Sequence, residues 1–227
     1  KDAPKFPQFY IFDAILHFYN KTNNKKYLDV VEKLLLSLSS KGIYDHLEGG
    51  ISRYTVDEKW IVPHFEKMLY DNIQYVNLLN NYLSNKENNY LKQKLIQTIK
   101  FINSEFIVKN NLLGSAYDAD SDGVEGKYYV WKYQELKDIL GNDLEIFKKK
   151  YQISEQGNFE GSNILVENFD PNVSADSKIK EIEKKLLEIR KKRIKPFFDD
   201  KTQLDLNCLW ISSLVAANEI LPDKGYL

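Results

Sequence analysis

Proton-carrying side chains are concentrated between Gly42 and Asn72. His46 and His64, two of the three histidines in this 227-residue chain, both lie there. Imidazole titrates near neutral pH and can accept or donate a proton, so the two could be the acid and base of a proton transfer such as an epimerisation. They could also bind a ligand without chemistry, or bond only to the backbone or to Glu66. From the residues alone, all three interpretations stay open.

Carboxylates offer a second kind of chemistry in this stretch. On a helix, Glu66 and Asp71 would point about 140° apart, whereas His64 and Asp71 would share a face. A glycosidase would instead need two carboxylates about 5 to 9.5 Å apart across a sugar bond. Glu66 with Asp118 or Asp120 could meet that need only through the fold. The predicted catalytic residues are His46, His64, Glu66 and Asp71.

Aromatic and polar side chains near these groups could bind a ligand. Aromatic rings stack well on the apolar faces of sugars, although such rings are also common core residues. A core role is therefore the alternative for each ring. The predicted substrate-binding residues are Tyr44, Arg53, Tyr54, Trp60, Tyr70, Asp118, Asp120 and Trp131.

An acidic run, from Asp118 through Asp120 and Asp122 to Gly123, resembles the opening of a calcium-binding loop. The twelfth position, which should be a bidentate glutamate, is Tyr129. The alternative is an acidic loop held by basic side chains or backbone amides. No metal ligand and no cofactor are predicted.

The composition limits the class of partner. The chain has 32 basic and 33 acidic residues, which gives no positive field for nucleic acid or an anionic membrane. Cys208 is the single cysteine, so no internal disulfide can form, which is typical of a reducing cytosol. No apolar run approaches the roughly 20 residues of a membrane helix. We expect a cytoplasmic protein that binds neither nucleic acid nor membrane.

Helical periodicity dominates the first 107 residues. We expect Gly42 to end the second helix in a left-handed cap and Pro63 to begin the third. Asn88 should cap the fourth helix. Four antiparallel helices suggest stacked helical hairpins. The predicted helices are 8–20, 25–40, 63–83 and 88–107.

The pattern changes after the fourth helix. A short β-rich run and a brief strand are expected among short helices. The charged run 181–193 should be a solvated helix face. The last helix is apolar around much of its circumference and should be deeply buried. The predicted elements are β-rich 127–131, helices 133–140 and 142–151, strand 164–166, and helices 175–193 and 204–220. Tyr226 and Leu227 resemble the opening of a further helix, which favours a piece of a longer repeat protein.

Five stretches carry a family resemblance: APKFP, GGISRYTVDEKWIVPHFEKMLYDN, SAYDADSDGVEGKYYVW, GNFEGSNIL and DDK. In this order they resemble the YyaL-type family of thioredoxin-domain-containing proteins, which includes spermatogenesis-associated thioredoxin-like proteins. They span nearly the whole chain. The sequence departs from the family at Glu48, where a glycine is usual, and at Leu206 and Cys208, where a tryptophan and a glycine are usual.

The resemblance implies an all-α fold: a partial (α/α)6 toroid of antiparallel helical hairpins with a small β-rich insertion. This is the architecture of N-acylglucosamine 2-epimerases and six-hairpin glycosidases. Residues 1–227 would form a single toroid domain, lacking the family's N-terminal thioredoxin-like domain and the later hairpins. No redox activity is assigned to these residues.

The expected function is that of a carbohydrate-active or sugar-binding domain with epimerase-like acid-base chemistry in a cleft. The alternative is a non-catalytic module that holds a partner protein or presents substrates to a thioredoxin-like domain. An enzyme should bring His46 and His64 to one small pocket, whereas a binding module should show a broad apolar surface. The expected partners are a carbohydrate ligand and the thioredoxin-like domain of the same protein.

Overall fold

The computed structural model describes residues 4–168, 177–222 and 225. The fold is mostly helical, with five two-residue strands and two short 3-10 turns among the described residues. The helices are α1 Phe9–Thr22, α2 Lys25–Ser40, α3 Leu69–Leu83, α4 Asn89–Glu105, α5 Tyr133–Leu140, α6 Leu144–Lys150, α7 Ser177–Arg190 and α8 Leu204–Ile220. The strands are β1 Lys67–Met68, β2 Ala116–Tyr117, β3 Asp120–Ser121, β4 Val124–Glu125 and β5 Phe198–Asp199.

Helix α3 lies at the centre of the larger core. It packs against α1, α2, α4 and α8, and buries side chains on most of its circumference. A second, smaller core forms where α5, α6 and α7 pack around Trp131 and Phe147. The mainly helical class is thus confirmed, while closure of the helices into a toroid remains a prediction.

The small sheet joins three separate stretches of the chain. Strand β2 lies in the middle and pairs antiparallel with β1 and β5, with Met68 opposite Ala116 and Tyr117 opposite Phe198. Strands β3 and β4 form a separate hairpin through Asp122 and Gly123. Both turn residues have positive φ, 53° and 69°, as a tight two-residue hairpin turn requires. The sheet fixes the point from which α3 begins.

The predicted start of the third helix at Pro63 is wrong, because α3 begins at Leu69. Pro63 bridges Thr55, and the amide of His64 donates to the carbonyl of Tyr54 at 3.0 Å. Backbone pairing with residues 54–55 has replaced the local helix. Asp71, not Glu66, therefore occupies the first helical turn.

Phe65 forms a bulge in this pairing. His64 pairs with Tyr54, and the next bond joins the Arg53 amide to the Glu66 carbonyl at 2.9 Å, so one strand has an extra residue. Phe65 takes the left-handed conformation, with φ of 49°, which is rare for a bulky residue. The bulge places Glu66 opposite Arg53.

Three smaller predictions about the loops are also wrong. Helix α2 ends as predicted, but Gly42 is not its left-handed cap, and Lys41 there is extended. Glycine is needed at position 42 because a Cβ would collide with the Ile61 carbonyl. Residues 127–130 follow a turn bonded to the Gly126 carbonyl, Trp131 forms a single β-bridge with Asn163, and the hairpin lies earlier. Residues 164–166 form no ladder.

Helix α8 has the predicted bounds, but it is not deeply buried. One side packs on α3 and buries Trp210 and Ala217. The opposite side leaves Leu204 80% exposed and Ile211 61% exposed. Apolar residues occur around much of the circumference of α8, but only one side of the helix is covered in this structure.

The remaining helix predictions are close to the structure. Asn88 caps α4 by accepting a hydrogen bond from the Leu91 amide at 3.1 Å. The charged helix is described from Ser177 to Arg190, and its predicted first residues, 175 and 176, lie outside the described residues, as does the stretch at 226–227. No helix among the described residues is long and apolar enough to cross a bilayer.

Candidate functional site

Four of the predicted site residues come together at the start of α3. Arg53 Nη1 donates to Glu66 Oε2 at 3.2 Å, and this pair is partly exposed. Asp71 interacts electrostatically with Arg53 and Glu66, and Tyr70 interacts with Asp71 and Arg53. We call these four residues, Arg53, Glu66, Tyr70 and Asp71, the Asp71 cluster.

Asp71 is the most perturbed member of the cluster. Its residue is 8% exposed, and burial raises the pKa of its carboxyl from 3.8 to about 7. Arg53 opposes this rise and Glu66 adds to it. Asp71 Oδ2 and Arg53 Nε are buried without a hydrogen-bond partner in the described part of the chain. A carboxyl that exchanges its proton near pH 7 and has a free oxygen can act as a general acid or base.

The bulge at Phe65 holds this cluster in place. The Phe65 ring stacks on Tyr129 with 5.6 Å between centroids and an angle of 14°, and it packs on Phe159. Gly126 lies against the ring so closely that a Cβ there would be 2.5 Å from Phe65 Cε2. The turn after β4 therefore supports the bulge that sets Glu66 against Arg53.

His64 lies on the same paired segment but has different partners. Its ring stacks on Tyr54 with 4.7 Å between centroids, and Nδ1 lies 2.9 Å from Glu125 Oε1. The side chain is 33% exposed. His64 is thus an accessible histidine next to strand β4.

His46 is buried in another environment. Nε2 lies 3.0 Å from the Lys41 carbonyl, and Nδ1 lies 3.2 Å from Lys94 Nζ and 3.1 Å from Glu167 Oε1. Burial and then the Lys94 charge hold the pKa of His46 below its ordinary value. A neutral ring that donates from Nε2 to the Lys41 carbonyl and accepts at Nδ1 from Lys94 fits those two contacts, and Lys94 also donates to Glu167 at 2.9 Å. The two histidines share no hydrogen-bond partner among the described residues, and His64 does not line the cavity beside His46.

His46 also lines a cavity of about 30 Å³, together with Tyr44 and Lys67. That volume holds about one or two water molecules and no sugar. The Tyr44 hydroxyl bonds Thr98 at 3.1 Å, and the ring is 1% exposed. Tyr44 is therefore a core residue with a satisfied hydroxyl.

The two predicted tryptophans are core residues too. Trp60 is 6% exposed beneath Lys5, whose Nζ lies 4.2 Å from the ring centre. Trp131 is 0% exposed beneath Arg193, whose Cζ lies 4.0 Å from the ring centre. Their faces are occupied by these cations rather than open to a sugar.

Asp118 and Asp120 are exposed and stay outside the Asp71 cluster. Asp118 Oδ1 accepts a hydrogen bond from the Ala119 amide at 2.7 Å, and Asp120 pairs with Glu125 in the hairpin. Among the described residues, no group of three His, Cys, Asp or Glu side chains could hold a metal ion.

A buried charge network that was not predicted from the sequence lies beside the site. Arg190, placed by prediction on a solvated face, is 2% exposed and bonds Asp45. A signal was present, because Arg190 follows Leu186 by four residues and so continues the apolar stripe of α7. Lys94 and Glu167 form a second buried pair, 2.9 Å apart.

Comparison with known proteins places this geometry in context. No family model matches the sequence. The chain is 26% identical over 265 residues to the uncharacterized protein B0495.5 of Caenorhabditis elegans, covering 99% of this chain and 36% of that protein. It is 25% identical over 260 residues to spermatogenesis-associated protein 20 of Homo sapiens, covering 97% and 33%. The Mus musculus protein of the same name gives the same identity and coverage.

One solved structure also resembles the chain. The crystal structure of the Lin0763 protein from Listeria innocua covers 98% of this chain and 57% of that one, with a TM-score of 0.44 and 14% identity. The chain spans about a third of the length of the curated relatives it matches. Along nearly its whole length, this chain is similar to spermatogenesis-associated protein 20, at about 25% identity.

Proposed function

We propose that this chain is a carbohydrate-active domain in which the Asp71 cluster moves a proton to and from a sugar. The observation that carries the proposal is the buried Asp71 carboxyl, whose pKa is raised to about 7 and whose Oδ2 has no partner in the described chain. The acid-base part of the proposal rests on this geometry. The carbohydrate part is supported by the family resemblance alone. A shared fold does not by itself establish a substrate.

Three members of the cluster have a role in such a step. Asp71 removes a proton beside a carbonyl and returns it, since a group with a pKa near the working pH can do both. Arg53 stabilises the negative charge that develops on the carbonyl oxygen. Glu66 holds the Arg53 guanidinium through their ion pair, so Glu66 is a positioning residue.

Proton exchange with solvent tests this proposal. The chain is incubated in D₂O near pH 7 with a panel of reducing sugars and N-acylated amino sugars, and NMR follows the proton beside the carbonyl. We expect exchange with one class of sugar and a loss of about 100-fold in Asp71→Asn. Asp205→Asn is the matched control, because Asp205 also lies in the first turn of a helix but is exposed. If no sugar exchanges, or if Asp71→Asn exchanges as fast as the parent, acid-base catalysis by Asp71 is refuted.

A specific observation favours the alternative of a non-catalytic module. Leu204, Cys208, Ile211 and Val215 form an exposed stripe at helical spacing along α8. We propose as second candidate that this stripe binds the thioredoxin-like domain of the same protein. Calorimetry with that domain should show binding that Ile211→Asp abolishes. Tyr10→Asp should preserve it, because Tyr10 is an exposed residue of α1. Absence of binding removes this candidate.

A further inference from the structure

An open groove of about 620 Å³ lies beside the β3–β4 hairpin. Its volume falls within the range of small-molecule sites, about 300 to 1,000 Å³. Four segments form its walls: the hairpin, the turn that leads into α5, the loop at 159–162, and the residues just after α7. We call it the hairpin groove, and the residues that matter here are Val124, Lys132, Phe159, Ser162, Lys192 and Ile194.

Most charges on the groove wall are already paired. Asp122 binds Lys127 at 2.7 Å, and Glu135 binds Arg193 at 2.7 Å. Glu125 is held by His64 at 2.9 Å.

Three lining charges have no ionic partner in the described part of the chain: Lys132, Lys192 and Glu160. Over the whole lining, four basic and four acidic side chains balance, and the two unpaired lysines supply local positive charge. Lys132 also stands immediately before α5, whose first amides have no side-chain cap and add to the positive potential. An anion beside Lys132 would therefore meet a positive potential.

Ser162 points to a ligand independently of the lysines. The residue is 8% exposed, lines the groove, and its hydroxyl forms no hydrogen bond within the described residues. The Ser162 hydroxyl keeps some contact with the open groove, so it can bond water or a ligand there. Its loop is fixed, because the amides of Asn158 and Phe159 both donate to the Ser162 carbonyl, at 2.9 and 3.0 Å.

Apolar side chains complete the wall. Val124 is 50% exposed and Ile194 is 63% exposed, and Phe159 lies with them on the groove. Exposed aliphatic groups beside two free ammonium groups suit a molecule with an apolar face and a charged end. Inorganic phosphate alone would leave these side chains uncovered.

We propose that the hairpin groove binds a small organic anion, in which a phosphate or carboxylate is attached to a body with an apolar face. Lys132 and Lys192 pair with the anionic oxygens, and the Ser162 hydroxyl donates to one of them. Phe159, Val124 and Ile194 cover the apolar face. None of these residues belongs to the Asp71 cluster, so the site stands or falls independently of the proton transfer proposed above.

Isothermal titration with four probes tests the proposal: glucose 6-phosphate, glucuronate, glucose and inorganic phosphate. We expect glucose 6-phosphate or glucuronate to bind at least about tenfold more tightly than glucose and inorganic phosphate. The binding should weaken as salt is added. Preference for glucose 6-phosphate assigns the site to phosphates, and preference for glucuronate assigns it to carboxylates.

Matched variants locate the binding. The double variant Lys132→Gln with Lys192→Gln should weaken binding at least about tenfold, and Ser162→Ala about threefold. Both lysines are exposed, so the variants should fold, which circular dichroism checks. Lys100→Gln with Lys109→Gln removes two exposed lysines elsewhere and should change nothing. The site is refuted if neither organic anion saturates the chain, if inorganic phosphate binds equally well, or if the Lys132 and Lys192 variant binds like the parent.

Discussion

Arg190 and Asp45 form a bidentate ion pair between α7 and the loop that follows α2. Nη1 lies 2.8 Å from Oδ1 and Nη2 lies 2.8 Å from Oδ2. Lys67 adds a contact of 2.7 Å from its Nζ to Asp45 Oδ2. All three side chains are at most 6% exposed. The Asp45 carboxylate thus bridges two buried cations and joins the two cores of the fold, while Glu48, 3.2 Å from Arg190 Nη2, supplies a second negative charge.

Asp45→Asn should therefore destabilise the chain more than Arg190→Gln. Loss of Asp45 leaves buried Lys67 without its ion pair and Arg190 with Glu48 alone, and breaking a buried pair costs about 3–5 kcal/mol. Loss of Arg190 leaves Asp45 still paired with Lys67. Urea unfolding of both variants measures the difference. As a control, Glu145→Gln, which breaks an exposed pair with Lys148, should cost under about 1 kcal/mol. A larger loss in Arg190→Gln than in Asp45→Asn contradicts the shared-partner account.

The helices could be predicted well because their signals are local. The apolar spacing in α2 and the capping residue Asn88 act within a few residues of the backbone they stabilise. The start of α3 could not be found in this way. Pairing of His64 with Tyr54 and of Met68 with Ala116 depends on residues far along the chain, and it overrides the local preference of Pro63 for a helix.

The members of the candidate site could be predicted from the sequence, but their grouping could not. A helix over 63–83 would place Glu66 and Asp71 about 140° apart. Residues 63–68 are not helical, so this separation does not apply. The bulge at Phe65 and the burial of Asp71 bring them into one cluster. Burial also decides the protonation of Asp71, and it depends on packing that no local pattern contains.

Asp71→Asn should stabilise the chain in alkaline solution. Burial raises the pKa of Asp71 from 3.8 to about 7, so the folded chain binds this proton more tightly than the unfolded chain. The stability that the proton provides is complete below about pH 4 and is lost as the pH rises through 7. An asparagine stays neutral throughout.

Urea unfolding at two pH values measures this effect. We expect a gain of about 1–3 kcal/mol near pH 8 and little change near pH 4. The gain should fall short of the full linkage value because solvent reaches Arg53 and Glu66. An equal effect at both pH values would show that Asp71 titrates normally, and NMR titration of its carboxyl gives the pKa directly.

His46→Gln should change the acid side of the same profile. The pKa of His46 is lowered by burial and by Lys94, so below about pH 6.5 the unfolded chain binds a proton that the folded chain does not. His46 therefore destabilises the fold as the pH falls, by at most about 1.4 kcal/mol per unit. Asp71 has the opposite effect over this range, because its proton stabilises the fold as the pH falls.

We expect the parent chain to have nearly constant stability between about pH 5 and 6.5, because these two terms oppose each other. Asp71→Asn should lose stability on acidification there, and His46→Gln should gain it. Glu167, whose pKa is lowered by Lys94 and His46 despite its burial, loses stability only below its ordinary pKa of 4.5, outside this window. If the urea midpoints of the three proteins change with pH in the same way, the assignment is contradicted.

Gly126→Ala should be more destabilising than Gly123→Ala, although both glycines lie in the same turn region. Their φ angles are 72° and 69°, so an alanine at either position meets the strain of the left-handed region, about 1–2 kcal/mol. A Cβ at position 126 would also lie 2.5 Å from Phe65 Cε2, whereas nothing lies within 4 Å at position 123. Displacing a packed ring adds about 1–3 kcal/mol.

Measurements on the two glycine variants also test the link between this turn and the Asp71 cluster. Phe65 is the bulge residue that sets Glu66 against Arg53, so a shifted ring should move the Glu66 charge relative to Asp71. NMR titration should therefore show a changed Asp71 pKa in Gly126→Ala and the parent value in Gly123→Ala. If Gly126→Ala is destabilised while the Asp71 pKa stays at its parent value, Phe65 supports the fold without positioning the cluster, and the bulge has no part in the acid-base site.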